Sequence, residues 1–163
     1  MNYHDITKCD MLNGDGLRVV LWVSGCNHNC YNCQNPQTWN ENSGIPFDEE
    51  AEKELFEAID KPYISGITFS GGDPLYPKNR AEVTRLAKKS KDIYPNKTIW
   101  LYTGFLYEEV KDIEVMQYVD VLVDGGFLEA LKDNTLHWKG SLNQRVIDIN
   151  KTCELNRIIL HSV

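Results

Sequence analysis

The chain has 163 residues, 42% hydrophobic and 25% charged, enough for one domain with a real core. A formal net charge of −7 opposes the attraction that drives nucleic-acid binding, and no apolar run approaches the roughly 20 residues needed to cross a bilayer. Met1-Asn2-Tyr3-His4-Asp5 lacks the profile of a signal peptide, and five cysteines with three crowded together do not form a secreted disulfide framework, so a reducing cytoplasm is the expected setting.

Leu17 to Val23 reads as a largely buried strand, followed at once by the cysteine cluster Cys26-Asn27-His28-Asn29-Cys30-Tyr31-Asn32-Cys33. Asp48 to Lys61 reads as a helix with Ala51, Leu55, Ala58 and Ile59 on one face. Ile64 to Phe69 is a second strand, ending at Ser70-Gly71-Gly72-Asp73-Pro74. A helix from Asn79 to Asp92 should bury Val83, Leu86 and Ala87. Thr98 to Tyr102 is a third strand, ending at Thr103-Gly104, and a short helix over Leu106 to Lys111 follows. A fourth strand, Val119 to Val123, ends at Asp124-Gly125-Gly126, and Val146 to Ile149 is a fifth. Lys151 to Val163 reads as a C-terminal tail.

Alternating strands and helices imply βαβ units and a mainly parallel α/β sheet in a single domain spanning residues 1–163. A polar or glycine-rich element follows each of the first four strands. Loops after parallel strands emerge on one edge, where ligands bind in open sheets and barrels. Four such loops therefore converge on one site.

The C-x3-C-x2-C cluster puts three thiols within eight residues, which suits an iron–sulfur cluster with one iron left open. Two alternatives stand beside it. One is a structural zinc site completed by His28, Cys9, Cys153 or His137; the other is a Cys30–Cys33 dithiol pair. A dithiol leaves Cys26 unexplained. His28 is flanked by cysteines on both sides and is expected to support the loop by hydrogen bonding rather than to bind metal. Gly71-Gly72-Asp73 offers bare backbone and a carboxylate, suited to an ammonium group, or is merely a tight turn. Asp124 and Thr103 are either ligand contacts or caps of local structure. Gly14-Asp15-Gly16 precedes a strand, so it is not a dinucleotide fingerprint.

These motifs, running from about Asn13 to Asp148, resemble the activating enzymes of glycyl-radical proteins, a branch of the radical S-adenosylmethionine superfamily. The residues that carry the resemblance are Ser24 to Cys30, Cys33-Gln34-Asn35-Pro36, Phe69 to Leu75, Leu101 to Phe105, Val119 to Gly125 and Gly140 to Asp148. Two positions depart from it: Asn32 stands where the branch commonly has glycine, and Gly126 where proline is expected.

The resemblance implies an incomplete parallel (βα) barrel with a [4Fe–4S] cluster on Cys26, Cys30 and Cys33. It implies S-adenosylmethionine bound through Gly71, Gly72 and Asp73, with Asn32, Cys33 and Gln34 near the adenine and Thr103 and Asp124 further out. No side-chain acid or base is required: reductive cleavage of the cofactor yields the radical that takes hydrogen from a glycine. Short length and the Gly140–Asp148 motif point to the large subunit of an anaerobic ribonucleoside-triphosphate reductase as protein substrate, with a flavodoxin-like electron donor. An activase of another glycyl-radical enzyme, such as pyruvate formate-lyase, and a zinc-stabilised binding module are the competing readings. Within the late motif, Asn143, Gln144 and Arg145 are either donors to the partner or, for Arg145, an internal ion pair that fixes the last strand.

Overall fold

A computed structural model of the chain describes residues 1–162. Seven strands form one open sheet: β1 (Asn2–Asp10), β2 (Arg18–Val23), β3 (Ile45–Pro46), β4 (Gly66–Gly71), β5 (Thr98–Tyr102), β6 (Val121–Asp124) and β7 (Arg145–Asp148). Their order is β3-β1-β2-β4-β5-β6-β7. The four central strands β2, β4, β5 and β6 are parallel, while β3–β1, β1–β2 and β6–β7 pair antiparallel.

Four helices connect or follow the strands: α1 (Glu49–Ile59), α2 (Arg80–Ile93), α3 (Tyr107–Val110) and α4 (Ile149–Leu155). Asp48 starts α1, its carboxylate accepting from the Ala51 amide at 2.9 Å. The apolar stripe of α1 (Ala51, Leu55, Ala58, Ile59) and that of α2 (Val83, Leu86, Ala87) pack on one face of the sheet. There they meet Val19, Leu21, Ile67, Phe69, Ile99, Leu101, Leu122 and Ile147 in the main core. Alternation along the strands sends Trp100, Tyr102, Val121, Val123 and Val146 to the other face, where Trp138 covers them. Helices thus line one face and leave the other to the site. Among the described residues no helix is long and apolar enough to cross a membrane.

The expected central elements are present within two residues of their expected ends. Three features differ from the sequence expectation. The sheet is parallel only at its centre, because β1 adds a nine-residue antiparallel strand whose burial rests on Tyr3 and Ile6. The fifth expected strand, β7, runs antiparallel to β6. The expected tail carries most of α4, capped by Asp148, which accepts from the Lys151 amide at 2.9 Å; the tail's last residue, Val163, lies outside the described residues.

At the N-terminal ends of the parallel strands the Arg18 guanidinium is fully buried. It donates to Thr68 Oγ1 (2.9 Å), Ile67 O (2.9 Å), Thr98 Oγ1 (2.8 Å), Thr98 O (2.7 Å) and Asp15 O (3.1 Å). These acceptors are neutral, and burial lowers the guanidinium to about 10.

Candidate functional site

The chain leaves β2 through Ser24 and Gly25 into the cysteine loop, at the C-terminal edge of the parallel strands. The loop is stapled where it begins: the Gly25 amide donates to Thr38 O (2.7 Å) and the Cys26 amide to Trp39 O (3.0 Å). Asn29 and Asn32 adopt left-handed backbone, at φ 52° and 55°. Asparagine tolerates that region, which accounts for Asn32 in a place where glycine is common.

Cys26, Cys30 and Cys33 are half-buried free thiols, whereas Cys9 and Cys153 are exposed and lie on β1 and α4. Within the loop the Cys33 amide donates to Cys30 O (3.1 Å), and the Asn35 amide to Cys33 Sγ (3.4 Å). Burial pushes the Cys26 thiol up to about 11, so ligation must displace its proton. Among the described residues no three His, Cys, Asp or Glu side chains are gathered as a ligand set for one metal ion. The donor chemistry fits a cluster held by three thiolates: three sulfurs on one loop, unpaired with each other, with Cys33 lining a cavity.

The turn after β4 packs directly beneath this loop. The Gly72 amide donates to Val23 O (2.9 Å) and the Asp73 amide to Gly25 O (2.7 Å). A Cβ at Gly72 would stand 2.6 Å from Gly25 O, so only glycine permits that approach. The Asp73 carboxylate is 1% exposed. Its Oδ2 accepts from His28 Nε2 (2.6 Å), Thr103 Oγ1 (2.9 Å) and the Gly104 amide (2.9 Å), and its Oδ1 from the Leu75 amide (2.8 Å). A carboxylate has about four acceptor sites, and these four donors match that number.

His28 therefore does support the loop by hydrogen bonding. Its ring lies against Gly104, where a Cβ would stand 2.5 Å away, and meets Phe105 edge-on at 4.7 Å. The Asp73 hydrogen bond raises the His28 pKa above its ordinary value. Asn79 adds a connection that sequence reasoning missed, its amide donating to Ser24 O (2.8 Å) and Asp73 O (3.2 Å).

Thr103 is buried within the same network, donating to Asp73 and accepting from the Phe105 amide at 3.1 Å. Asp124 lies apart from it. Its fully buried carboxylate accepts from the Tyr107 amide (2.8 Å) and from Arg145 Nε (3.1 and 3.2 Å). Arg145 also forks onto Glu108, at 3.1 and 2.9 Å. Of the two readings of Arg145, the internal ion pair is the one the structure displays. Its neighbours also turn inward: Asn143 Nδ2 donates to Gly126 O (2.8 Å) and Gln144 Nε2 to Gly125 O (2.9 Å), while Gln144 Oε1 accepts from the Gly140 amide (2.8 Å).

The helix-free face of the sheet holds a cavity of about 500 Å³. Cys33 and Gln34 line it together with Gln144 of the late motif and with Ser70, Tyr102 and Trp138, the last three absent from the sequence-based site. A single aromatic or serine, whether in a strand (Ser70, Tyr102) or in a connection (Trp138), carries no signal that separates lining from core. A groove of similar volume between β1, β3 and α1 is lined by Glu50, Lys53, Glu54 and Glu57 and contains none of the site residues.

A family profile described as "4Fe-4S single cluster domain" matches residues 12–147. That match spans the cysteine loop, the Gly-Gly-Asp turn and all four parallel strands, and it sets the class as an iron–sulfur domain with one cluster. Three similar proteins are each named anaerobic ribonucleoside-triphosphate reductase-activating protein. That of Enterobacteria phage T4 is 47% identical over 146 residues, covering 90% of this chain and 93% of its own. That of Escherichia coli strain K12 is 41% identical over 150 residues, covering 90% and 97%. That of Vibrio cholerae is 40% identical over 148 residues, covering 88% and 96%. The chain belongs to the family of anaerobic ribonucleoside-triphosphate reductase-activating proteins.

Proposed function

We propose that this chain activates an anaerobic ribonucleoside-triphosphate reductase, generating a glycyl radical on the reductase large subunit by radical S-adenosylmethionine chemistry. The observation that carries the reading is the convergence of the three-cysteine loop, the Gly-Gly-Asp turn and a concave cavity at one sheet edge, in a chain 47% identical to a protein of that name. When bound, the [4Fe–4S] cluster supplies an electron and an open iron for reductive cleavage of S-adenosylmethionine.

Cys26, Cys30 and Cys33 hold the cluster, and the network beneath fixes where they stand. His28, Thr103 and Gly104 lock Asp73, and Asp73 in turn locks the turn against Gly25. Gly71 and Gly72 present backbone to the methionine amino group, and Asp73 carries the negative charge of the turn close to the same ammonium. Asn32 and Gln34 flank the third cysteine on the adenine side. Thr103 and Asp124 are further candidates for contact with the cofactor, Thr103 bonded to Asp73 and Asp124 to Arg145. The open sheet is a partial (βα) barrel, and its missing wall lets a loop of another protein enter from the side. A reducing cytoplasm with a low-potential donor such as a flavodoxin completes the setting.

The test is electron paramagnetic resonance on anaerobically reconstituted protein mixed with S-adenosylmethionine, a reductant and candidate partners. A glycyl-radical signal on the ribonucleotide reductase is expected. A signal on pyruvate formate-lyase alone would move the assignment to that partner. A colourless, zinc-loaded protein that produces no signal would overturn the enzymatic reading.

A further inference from the structure

The segment that follows β6 is held along its length by the late motif. Gln144 Nε2 donates to Gly125 O (2.9 Å) and Asn143 Nδ2 to Gly126 O (2.8 Å). The Phe127 ring lies against Gly140, where a Cβ would stand 3.2 Å from it, and the Leu128 amide donates to Ser141 Oγ (3.2 Å). Residues 125–128 are thus each met by a residue of Gly140–Gln144. The motif is braced internally, Gln144 Oε1 accepting from the Gly140 and Ser141 amides at 2.8 and 3.2 Å. From the other side, the Gly125 amide donates to Phe105 O (3.0 Å).

Gly126 is where this clamp reaches the cysteine loop. A Cβ built on it would stand 3.4 Å from Cys30 Sγ and 4.0 Å from Gly104 O. The loops after β2, β5 and β6 therefore meet at this glycine, and the Gly104 amide continues the connection to Asp73. The tie through Asn143 carries a cost. Asn143 Oδ1 is buried and has no partner among the described residues, and an unpaired buried acceptor is destabilising. Leucine has nearly the same shape without that oxygen. Stability alone does not account for an amide at this position.

The geometry points to Asn143 as a positioning residue for the iron–sulfur cluster, holding Gly126 against Cys30 Sγ and so limiting how far water reaches that sulfur. The inference rests on the function proposed above, with Cys30 as a cluster ligand. Reduction potentials of such clusters follow solvent exposure and hydrogen bonding at the ligand sulfurs. An added electron makes a thiolate-held cluster more negative, and water beside a sulfur favours that state. Backbone held over Cys30 therefore keeps the potential low, which suits a site that must give an electron away.

The test is a redox titration of the full chain reconstituted with its cluster, followed by electron paramagnetic resonance, with thermal unfolding of the cluster-free chain alongside. Asn143→Leu keeps the side-chain shape and removes the donor. It should raise the midpoint potential while leaving Tm within about 4 °C of wild type, because the lost hydrogen bond is offset by removal of the unpaired oxygen. Gly126→Ala adds a methyl group beside the sulfur and should lower the potential. Leu142→Ser, at an exposed side chain of the same motif, should leave it unchanged. Shifts of the same sign in Asn143→Leu and Gly126→Ala, or none in either, overturn the inference. A lowered Tm in Asn143→Leu with a wild-type potential also overturns it, since the tie is then structural only. Should Asn143→Leu fail to fold, a wild-type potential in Gly126→Ala overturns it alone. A wild-type chain that takes up no iron–sulfur cluster refutes the functional reading and the positioning role together, whereas a bound cluster with an unmoved potential refutes only the positioning role.

Discussion

Replacing His28 by alanine removes a side chain that ties the cysteine loop directly to the carboxylate of the turn after β4. The ring donates a 2.6 Å hydrogen bond to a carboxylate that is 1% exposed, and its own side chain is 19% exposed. A hydrogen bond to a charged group contributes about 1.5–3 kcal/mol, and an edge-on aromatic contact such as that with Phe105 adds about 0.5–1.5. The carboxylate keeps its bonds to Thr103, Gly104 and Leu75, so no charge is stranded and the lower half of that range applies. The expected loss is about 2–3 kcal/mol, which lowers Tm by about 4–12 °C in a chain of this length. Thermal unfolding of the cluster-free protein reads the stability, and iron retained after gel filtration reads the loop. Both should fall in His28→Ala, and Gly104→Ala should mimic it by displacing the ring. A variant with wild-type Tm and full iron would refute the idea that this pair holds the loop.

Other expectations concern separate parts of the molecule. Arg145→Ala strands the buried Asp124 carboxylate and should cost about 3 kcal/mol in urea unfolding; unchanged stability with a selective loss of radical transfer would restore a docking role for Arg145. Cys9→Ser and Cys153→Ser should keep full iron content, while serine at Cys26, Cys30 or Cys33 should lose it, and loss in Cys153→Ser would contradict the ligand assignment. Arg85 and Lys89 hold Glu52 below its ordinary pKa. This ion-pair contribution is present above that ordinary value and is lost as pH falls through the lowered one, so Glu52→Gln should flatten the acid limb of a stability–pH curve. An unchanged acid limb would show that the network adds nothing measurable.

The central strands and the first two helices were legible because their apolar residues repeat at the periods that burial demands. β1 was not, since only Tyr3 and Ile6 among its nine residues enter the core and the remainder look like a polar leader. The direction of β7 was hidden because strand composition does not encode orientation. The cysteine spacing was legible as local sequence. The partners of Asp73 were not, because His28 and Thr103 lie 45 and 30 residues away and meet it only after the strands are side by side. Asn143, Gln144 and Arg145 could be read as surface donors for the same reason: their acceptors on Gly125, Gly126, Asp124 and Glu108 are distant in sequence.

The buried guanidinium of Arg18 has a consequence at the far end of the sheet. It is a register pin. Its donors reach acceptors on β4 and β5 from the first residue of β2, where Arg18 stands opposite Gly66 and Gly66 opposite Thr98. A slip of β4 by one residue would break those bonds, shift the turn after β4 by about 3.3 Å and turn every side chain of the strand to the opposite face. Gly72 would then miss Val23, and Asp73 would miss His28. The alignment of the cysteine loop with the Gly-Gly-Asp turn is thus set a full strand length away. Lysine in place of Arg18 would keep the charge but, with a single nitrogen, could not span three strands, and the loss would be felt in the relative phase of the site loops.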